Sequence, residues 1–272
     1  ALHTAADVNA QQALESSIAA LGLQRAVAEG HLAVALVDIT DVAHPKLAQV
    51  NGNQMLYAAS LPKIAILFGA FQKAYEGRLR LDSGMREQMI DMIRFSSNEA
   101  ATYVLNKVGR SYLAGLLQSR KYRFYDANLN GGLWVGKAYA SGGAYRRDPL
   151  HNISHGATAY QVARFYYMME TGRLVSPEYS RQMKEMMGDP GIHHKFVKGL
   201  EETHPDARIY RKSGTWREYH ADSAIIERAG RRYIAVALAE HPRGGEWMKD
   251  LIVAMDNIVF SRPRPIQAAS LN

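Results

Sequence analysis

One stretch of the sequence predicts the start of a buried helix. It comprises residues 57–68, Tyr57-Ala58-Ala59-Ser60-Leu61-Pro62-Lys63-Ile64-Ala65-Ile66-Leu67-Phe68. A proline suits the first turn of a helix, because its φ is fixed and its missing N–H is not needed there. Apolar residues then recur with the spacing of one buried helical face, at Ile64, Leu67, Phe68 and Phe71. We therefore predict a helix that contains Ser60, extends to about Tyr75 and is ended by Gly77.

Ser60 and Lys63 are three residues apart, so their side chains are neighbours on the predicted helix. A serine hydroxyl becomes a good nucleophile when a base takes its proton. A lysine can be that base if burial or a neighbouring cation lowers its pKa. The pair alone is weak support for catalysis, because a serine N-cap followed by a solvent-facing lysine has the same sequence.

Composition excludes several classes of protein. The chain has 272 residues, of which 47% are hydrophobic and 22% charged, and this is ordinary for a globular protein. The absence of cysteine excludes disulfides, a thiol nucleophile and cysteine-ligated metals. No apolar run approaches the roughly 18 residues of a membrane span. The net charge of +7 comes from scattered basic residues, so we expect a solvated surface and no nucleic-acid partner.

The order of predicted elements is helix, two strands, a helical middle, three strands and a final helix. The helices are expected at 5–29, 60–75, 85–95, 98–108, 111–118, 158–170, 176–187 and 246–260. The strands are expected at 32–37, 46–50, 209–216, 223–228 and 233–240, and residues 122–155 have no regular pattern. We expect an α/β (α+β) fold in which an antiparallel sheet is flanked by terminal helices. Residues 1–59 and 205–272 form the sheet lobe, residues 60–204 form an inserted all-helical lobe, the active site lies between them, and 262–272 is a frayed tail.

Two further motifs carry polar groups that could join Ser60. Ser96-Ser97-Asn98 lies at the junction of two predicted helices, and Lys212-Ser213-Gly214-Thr215 lies on the first strand of the C-terminal group. Each motif alone is common, since the first is typical of a helix cap and the second of an edge strand. Their order along the chain is the informative feature.

With these three motifs the sequence resembles the class A β-lactamases and their penicillin-binding relatives, whose signature is S-x-x-K, S-D-N and K-T-G. The resemblance implies a serine hydrolase that opens β-lactam amides through an acyl-enzyme. It implies that Ser60 is the nucleophile, Lys63 its base and Ser96 the proton shuttle to the leaving nitrogen. It also implies that the substrate is bound by Asn98, Lys212, Ser213, Gly214 and Thr215, with the N–H groups of Ser60 and Thr215 as the oxyanion hole.

The sequence departs from the family pattern in three places. Ser97 replaces a mostly structural aspartate, and the distance from Ser60 to Ser96 is short, which implies a trimmed helical lobe. The Glu-x-x-Leu-Asn loop that supplies the deacylation base is missing. The nearest segment is Asp126-Ala127-Asn128-Leu129-Asn130, so Asp126 is a candidate base. The alternative, which we favour slightly, is that Asp126 is a structural acid and no deacylation base is present.

Three functions stay open at this point. The first is a β-lactamase, the second is a D,D-peptidase or esterase with the same acylation but slow turnover of β-lactams, and the third is a non-catalytic β-lactam sensor. All three take a small-molecule β-lactam or a peptidoglycan-like substrate and need no cofactor. We expect a monomer, and the family implies a periplasmic or secreted location, with a signal peptide outside this numbering. His151 and His155 form a weak metal candidate, whereas Trp216 and Tyr219 either line the cleft or pack in the core.

Overall fold

A computed structural model describes residues 1–262 of the chain. In chain order the strands are β1 (Leu32–Asp38), β2 (Lys46–Val50), β3 (Leu56–Tyr57), β4 (Tyr125–Asp126), β5 (Gly131–Gly132), β6 (Trp134–Val135), β7 (His155–Ala157), β8 (Arg208–Trp216), β9 (Tyr219–Arg228) and β10 (Arg231–Glu240). The α-helices are α1 (Val8–Ala20), α2 (Gln24–Ala28), α3 (Lys63–Tyr75), α4 (Ser83–Arg94), α5 (Asn98–Val108), α6 (Arg110–Leu117), α7 (Ala159–Glu170), α8 (Pro177–Met187), α9 (Phe196–Thr203) and α10 (Gly244–Phe260).

The main sheet has five antiparallel strands in the order β2-β1-β10-β9-β8. The first two strands therefore join the last three in one sheet, as the sequence predicts. The turn between β9 and β10 is Ala229-Gly230, where both residues have positive φ angles of 46° and 75°. Such angles suit a tight hairpin between neighbouring antiparallel strands.

The two faces of the sheet pack against different helices. On one face, Val34 and Leu36 pack in a cluster with Leu14 of α1 and Met248 and Ile252 of α10. The opposite face belongs to a second cluster, which continues through the helical middle of the chain. Burial of both faces explains why β1 is a continuous apolar run without alternation. The predicted fold class is confirmed.

Several boundaries differ from the sequence prediction. The first helix is divided into α1 and α2 at Gly22, whose φ of 72° is outside the helical range. Helix α9, which was not predicted, lies directly before β8. Helix α3 begins at Lys63, so Ser60 lies in the turn before the helix and not inside it. Part of the irregular region forms the small sheets β3-β7-β6 and β4-β5.

No helix in residues 1–262 has both the length and the apolar character that crossing a membrane requires. The predicted tail is described only at Arg262, whose guanidinium pairs with the Asp7 carboxylate. The remainder of the tail, residues 263–272, lies outside the described residues. The division into two lobes stays a prediction.

Candidate active site

Ser60 lies in a tight turn between β3 and α3. The N–H of Leu61 donates to Ala58 O at 3.0 Å, and the N–H of Lys63 donates to Ser60 O at 3.1 Å. Ala59, directly before the serine, has a φ of 50°, a left-handed conformation that is unfavourable for a residue with a Cβ. The turn places Ser60 in the wall of a cleft of about 370 Å³.

Lys63 is fully buried at the first position of α3. Its Nζ donates to Asn98 Oδ1 at 2.8 Å, to Ser96 O at 2.7 Å and to Ser96 Oγ at 3.3 Å. Burial lowers the pKa of Lys63 to about 7, because the buried ammonium loses its hydration. The amine can therefore be neutral and act as a base near neutral pH.

Ser96 connects the helical side of the cleft with the sheet. Its Oγ accepts hydrogen bonds from Lys63 Nζ at 3.3 Å and from Lys212 Nζ at 2.9 Å. Ser96 has a φ of 56°, so it is a second residue of the site, after Ala59, with a left-handed conformation. Ser97, the next residue, is the N-cap of α5, with its Oγ accepting from Ala100 N at 3.0 Å. Ser97 therefore has the structural role that the sequence predicts for it.

Strand β8 brings the third motif to the serine turn. A Cβ on Gly214 would lie 2.3 Å from Ala58 O and 2.8 Å from Ser60 N, distances too short for any side chain. Glycine is thus required for β8 to approach the backbone of Ser60. This close approach brings Ser60 and Thr215 to the same cleft, and both residues contribute to its lining.

Lys212 lies on this strand with its side chain buried, and its Nζ also donates to Ser213 O at 2.7 Å. Burial and then the nearby charge of Lys63 lower the pKa of Lys212 well below its usual value. From the sequence, either burial or a neighbouring cation could lower the pKa of Lys63. In the structure, burial is the cause of the Lys63 shift, and the repulsion acts on Lys212.

Lys195 is a site residue that sequence reasoning missed. Its buried Nζ donates to Thr215 Oγ1 at 2.7 Å and to Gly214 O at 2.6 Å, behind the third motif. Burial lowers its pKa to about 7. The segment before it is held by Arg211, which bonds to Ile192 O and to the Asp222 carboxylate. No pattern around Lys195 in the sequence marks this role, because the contact joins segments that are distant along the chain.

Tyr139 and His155 form the side of the cleft opposite β8. The two rings are stacked with centroids 4.1 Å apart, and Lys63 Nζ lies 4.6 Å from the centre of the Tyr139 ring. The Tyr139 hydroxyl donates to Ala59 O at 2.8 Å. Burial lowers the pKa of His155 to about 4, so the imidazole is neutral and its Nε2 donates to Lys137 O at 2.8 Å.

The weak metal candidate gains no support. His155 is stacked on Tyr139, whereas His151 bonds through its Nε2 to Asn130 Oδ1 at 3.0 Å. Among residues 1–262 no group of three or more histidine, aspartate or glutamate side chains could hold a metal ion.

Asp126 lies on β4 and makes contacts that are typical of a structural acid. Its Oδ2 pairs with Arg123 at 3.0 Å, and its Oδ1 accepts from Asn128 N at 3.0 Å, which caps a short 3₁₀-helix. It does not contribute to the wall of the cleft around Ser60, and that wall includes no aspartate or glutamate in the described part of the chain. Its role as a deacylation base stays a prediction.

The fold and this arrangement of serine and two lysines define the β-lactamase and transpeptidase class of structure. The chain belongs to the beta-lactamase enzyme family, whose family model matches residues 13–91 and 85–260. No protein with curated function matches the sequence.

Solved structures of similar fold include β-lactamases and a penicillin-binding protein. A β-lactamase from Sphaerobacter thermophilus is 16% identical with a TM-score of 0.71, covering 93% of this chain and 99% of its own. A β-lactamase from Xanthomonas campestris is 17% identical with a TM-score of 0.71, covering 93% of this chain and 100% of its own. PBP-A is 18% identical with a TM-score of 0.68, covering 94% of this chain and 97% of its own. At these identities the likeness shows the fold.

Proposed function

We propose that this chain is a serine hydrolase of the β-lactamase type, which opens β-lactam amides through an acyl-enzyme on Ser60. The observation that carries the proposal is the buried Lys63 amine, with a pKa of about 7, which follows the Ser60 turn by three residues and is bonded to Ser96 and Asn98. A base that is neutral near physiological pH beside a serine is the requirement for nucleophilic catalysis.

Acylation then proceeds by one proton relay. Neutral Lys63 takes the Ser60 proton while Oγ attacks the lactam carbonyl, and the N–H groups of Ser60 and Thr215 hold the oxyanion. The C–N bond breaks as Ser96 passes a proton to the leaving nitrogen and receives one from Lys63. A carboxylate of the substrate binds beside Lys212 and Ser213, and its charge favours the protonated form of Lys212. Asn98 binds the side-chain amide.

Mass spectrometry after brief exposure to a penicillin tests the proposal. We expect one adduct, on Ser60, which is lost in Ser60→Ala and kept in the control Ser16→Ala, which changes an exposed serine on α1. Absence of any adduct on the unmodified chain across several classes of β-lactam would refute the proposal.

A penicillin-binding D,D-peptidase or esterase is the second candidate, and one observation favours it. No carboxylate lines the cleft around Ser60 within residues 1–262, and the Tyr139 ring lies over Lys63. An acyl-enzyme without a base to activate water is hydrolysed slowly. Continuous turnover of a chromogenic cephalosporin would favour the β-lactamase, whereas a burst of one equivalent followed by a stall would favour the second candidate.

The variant Asp126→Asn tests whether Asp126 is the deacylation base or a structural acid. If Asp126 is a structural acid, as its contacts with Arg123 and Asn128 favour, the rate of acyl-enzyme hydrolysis is unchanged in the variant. A fall of a hundredfold or more would assign Asp126 as the base. The control is Asp41→Asn, which changes an exposed carboxylate paired with His44.

A monomeric state and a periplasmic or secreted location belong to the same proposal, since the resemblance to the family is their support. Size-exclusion chromatography with light scattering tests the first. Fractionation of cells that produce the full-length protein tests the second.

A further inference from the structure

A second cavity, of about 480 Å³, adjoins the cleft that contains Ser60. The two cavities share four lining residues, namely Tyr57, Lys137, His155 and Trp216. A substrate held at Ser60 can therefore extend past Trp216 into the second cavity without leaving the protein surface. The space beyond the reacting bond is large enough for an extended acyl side chain.

The second cavity carries unpaired positive charge. Lys137 and Arg147 line it, and no aspartate or glutamate among the described residues does so. In the described part of the chain Lys137 forms no ion pair, and Arg147 donates only to a backbone oxygen, Asn152 O, at 3.2 Å. The carboxylate of Asp148, next to Arg147, is buried and bonded to the Tyr125 hydroxyl and to backbone N–H groups. Its oxygens are bonded within the fold, and it pairs with neither Lys137 nor Arg147.

Aromatic side chains form the wall between the two cavities. Trp216 is 46% exposed, although it is a large apolar residue. Its ring lies 5.4 Å from that of Tyr57 and is stacked at 6.4 Å on that of Tyr219, so the wall is held in place. The Arg217 guanidinium lies 4.3 Å from the Trp216 ring and adds a third cation at the rim. A fixed, partly exposed indole is a favourable contact for a flat apolar group of a ligand.

We propose that the second cavity is an acyl side-chain subsite, which selects acyl donors carrying an aromatic group and a second carboxylate. Trp216 contacts the aromatic group, and Lys137 and Arg147 attract the carboxylate. The inference rests on the proposed function, because the selected group is part of the acyl donor that Ser60 attacks. It adds the chemical class of the substrate.

Three penicillins with the same nucleus and the same phenyl ring test the subsite. Benzylpenicillin has a neutral side chain, carbenicillin adds a carboxylate, and ampicillin adds an ammonium group. The readout is the second-order rate constant for Ser60 acylation, followed by intact-protein mass. We expect carbenicillin to react about fivefold faster than benzylpenicillin and ampicillin about fivefold slower, as for one partly exposed ion pair. High salt should reduce both differences.

The variant Lys137→Gln should remove most of the preference for carbenicillin, measured as the ratio of its rate constant to that of benzylpenicillin. The variant keeps the backbone oxygen that accepts from His155, so the site around Ser60 is preserved. Arg147→Gln, at an exposed position, is a second variant with the same expected direction. The matched control is Lys121→Gln, which removes an exposed lysine on the Tyr122 ring outside both cavities.

If the three penicillins acylate Ser60 at equal rates, or if ampicillin reacts fastest, the proposed subsite is overturned. The proposed function is still supported in that case, because Ser60 is acylated. The same holds if Lys137→Gln and Arg147→Gln both retain the full preference. Failure of all three penicillins to acylate the unmodified chain would overturn the proposed function and the subsite together.

Discussion

At the scale of single residues, the proposed acylation depends on the protonation of Lys63. If Ser60 only capped a helix, the Lys63 side chain would be expected in solvent, whereas it is fully buried and bonded to Ser96 and Asn98. Three donors on one ammonium satisfy three acceptors, so the side chain has a fixed position in the cleft. The lowered pKa follows from the same burial.

The rate of acylation should follow the neutral fraction of Lys63. Because its pKa is lowered to about 7, the rate should rise with pH up to about 7 and be constant above it. Lys63→Arg, which stays protonated, should reduce acylation by about a hundredfold or more at pH 8. Stopped-flow measurements between pH 5 and 9 provide the profile.

Two controls accompany this measurement. Lys73→Arg changes a lysine on the same helix that donates to Val108 O, and its profile should match that of the unmodified chain. Lys195→Arg removes the other lysine with a pKa of about 7, and the inflection should persist. A flat profile in the unmodified chain, or one that becomes flat only in Lys195→Arg, would contradict the role of Lys63.

At the scale of elements, two local interactions, a helix cap and a buried ion pair, hold the motifs in place. Helix α5 begins at Asn98 because Ser97 caps it, which fixes the direction of the Asn98 side chain toward Lys63. Strand β8 is held by a buried ion pair between Arg211 and Asp222, with nitrogen–oxygen distances of 2.9 and 2.8 Å. Both interactions are local contacts that position an element carrying one of the motifs.

Removing the cap should weaken α5. Ser97→Ala is expected to lower the free energy of unfolding by about 1 kcal/mol, because the N–H of Ala100 loses its acceptor. Ser97→Asp, which restores the usual family residue and can cap equally well, should leave it unchanged. Urea unfolding followed by circular dichroism measures both, and equal stabilities of the two variants would show that the cap has no effect.

Breaking the buried ion pair should lower the free energy of unfolding by more than removing the helix cap does. Asp222→Asn leaves the buried Arg211 charge unpaired and should lower the free energy of unfolding by about 3 kcal/mol or more. Glu29→Gln, which breaks the exposed pair of Glu29 with Arg25, should have no measurable effect. A small effect in Asp222→Asn, measured by urea unfolding, would mean that water or backbone groups replace the lost carboxylate.

At the scale of the whole molecule, one apolar core crosses the boundary between the two predicted lobes. Ala33 and Val37 of the sheet belong to the same buried cluster as Phe68 of α3 and Val162 of α7. The proposed acylation needs this continuity, because Lys63 and Ser96 lie on the helical side and Lys212 lies on the sheet. The site has a fixed geometry if the two sides pack as one unit.

Both lobes should therefore unfold in one transition. Trp247 lies on α10, beside the sheet, while most of the helices that dominate far-UV circular dichroism lie in the other lobe. A Trp134→Phe/Trp216→Phe variant keeps Trp247 as the single fluorophore. Its fluorescence and circular dichroism should give the same urea midpoint. Two separate midpoints would show that the lobes unfold independently.

The sequence alone was enough to predict the order of the main helices and strands, the sheet built from both ends of the chain, and the three motifs with their family. These features depend on local spacing and backbone preference, which a sequence shows directly. Helix α9 and the start of α3 were not predicted well, because packing decides such short or marginal ends.

The tertiary structure alone decided the chemistry around Ser60. Lys212 Nζ reaches Ser96 Oγ across 116 residues of sequence, and Lys195 reaches Thr215 behind β8. The pKa of Lys63 depends on its burial, and the need for Gly214 depends on the distance of β8 from Ser60. Burial and close approach result from packing between distant segments, so the motifs could name these residues but could not give their environment.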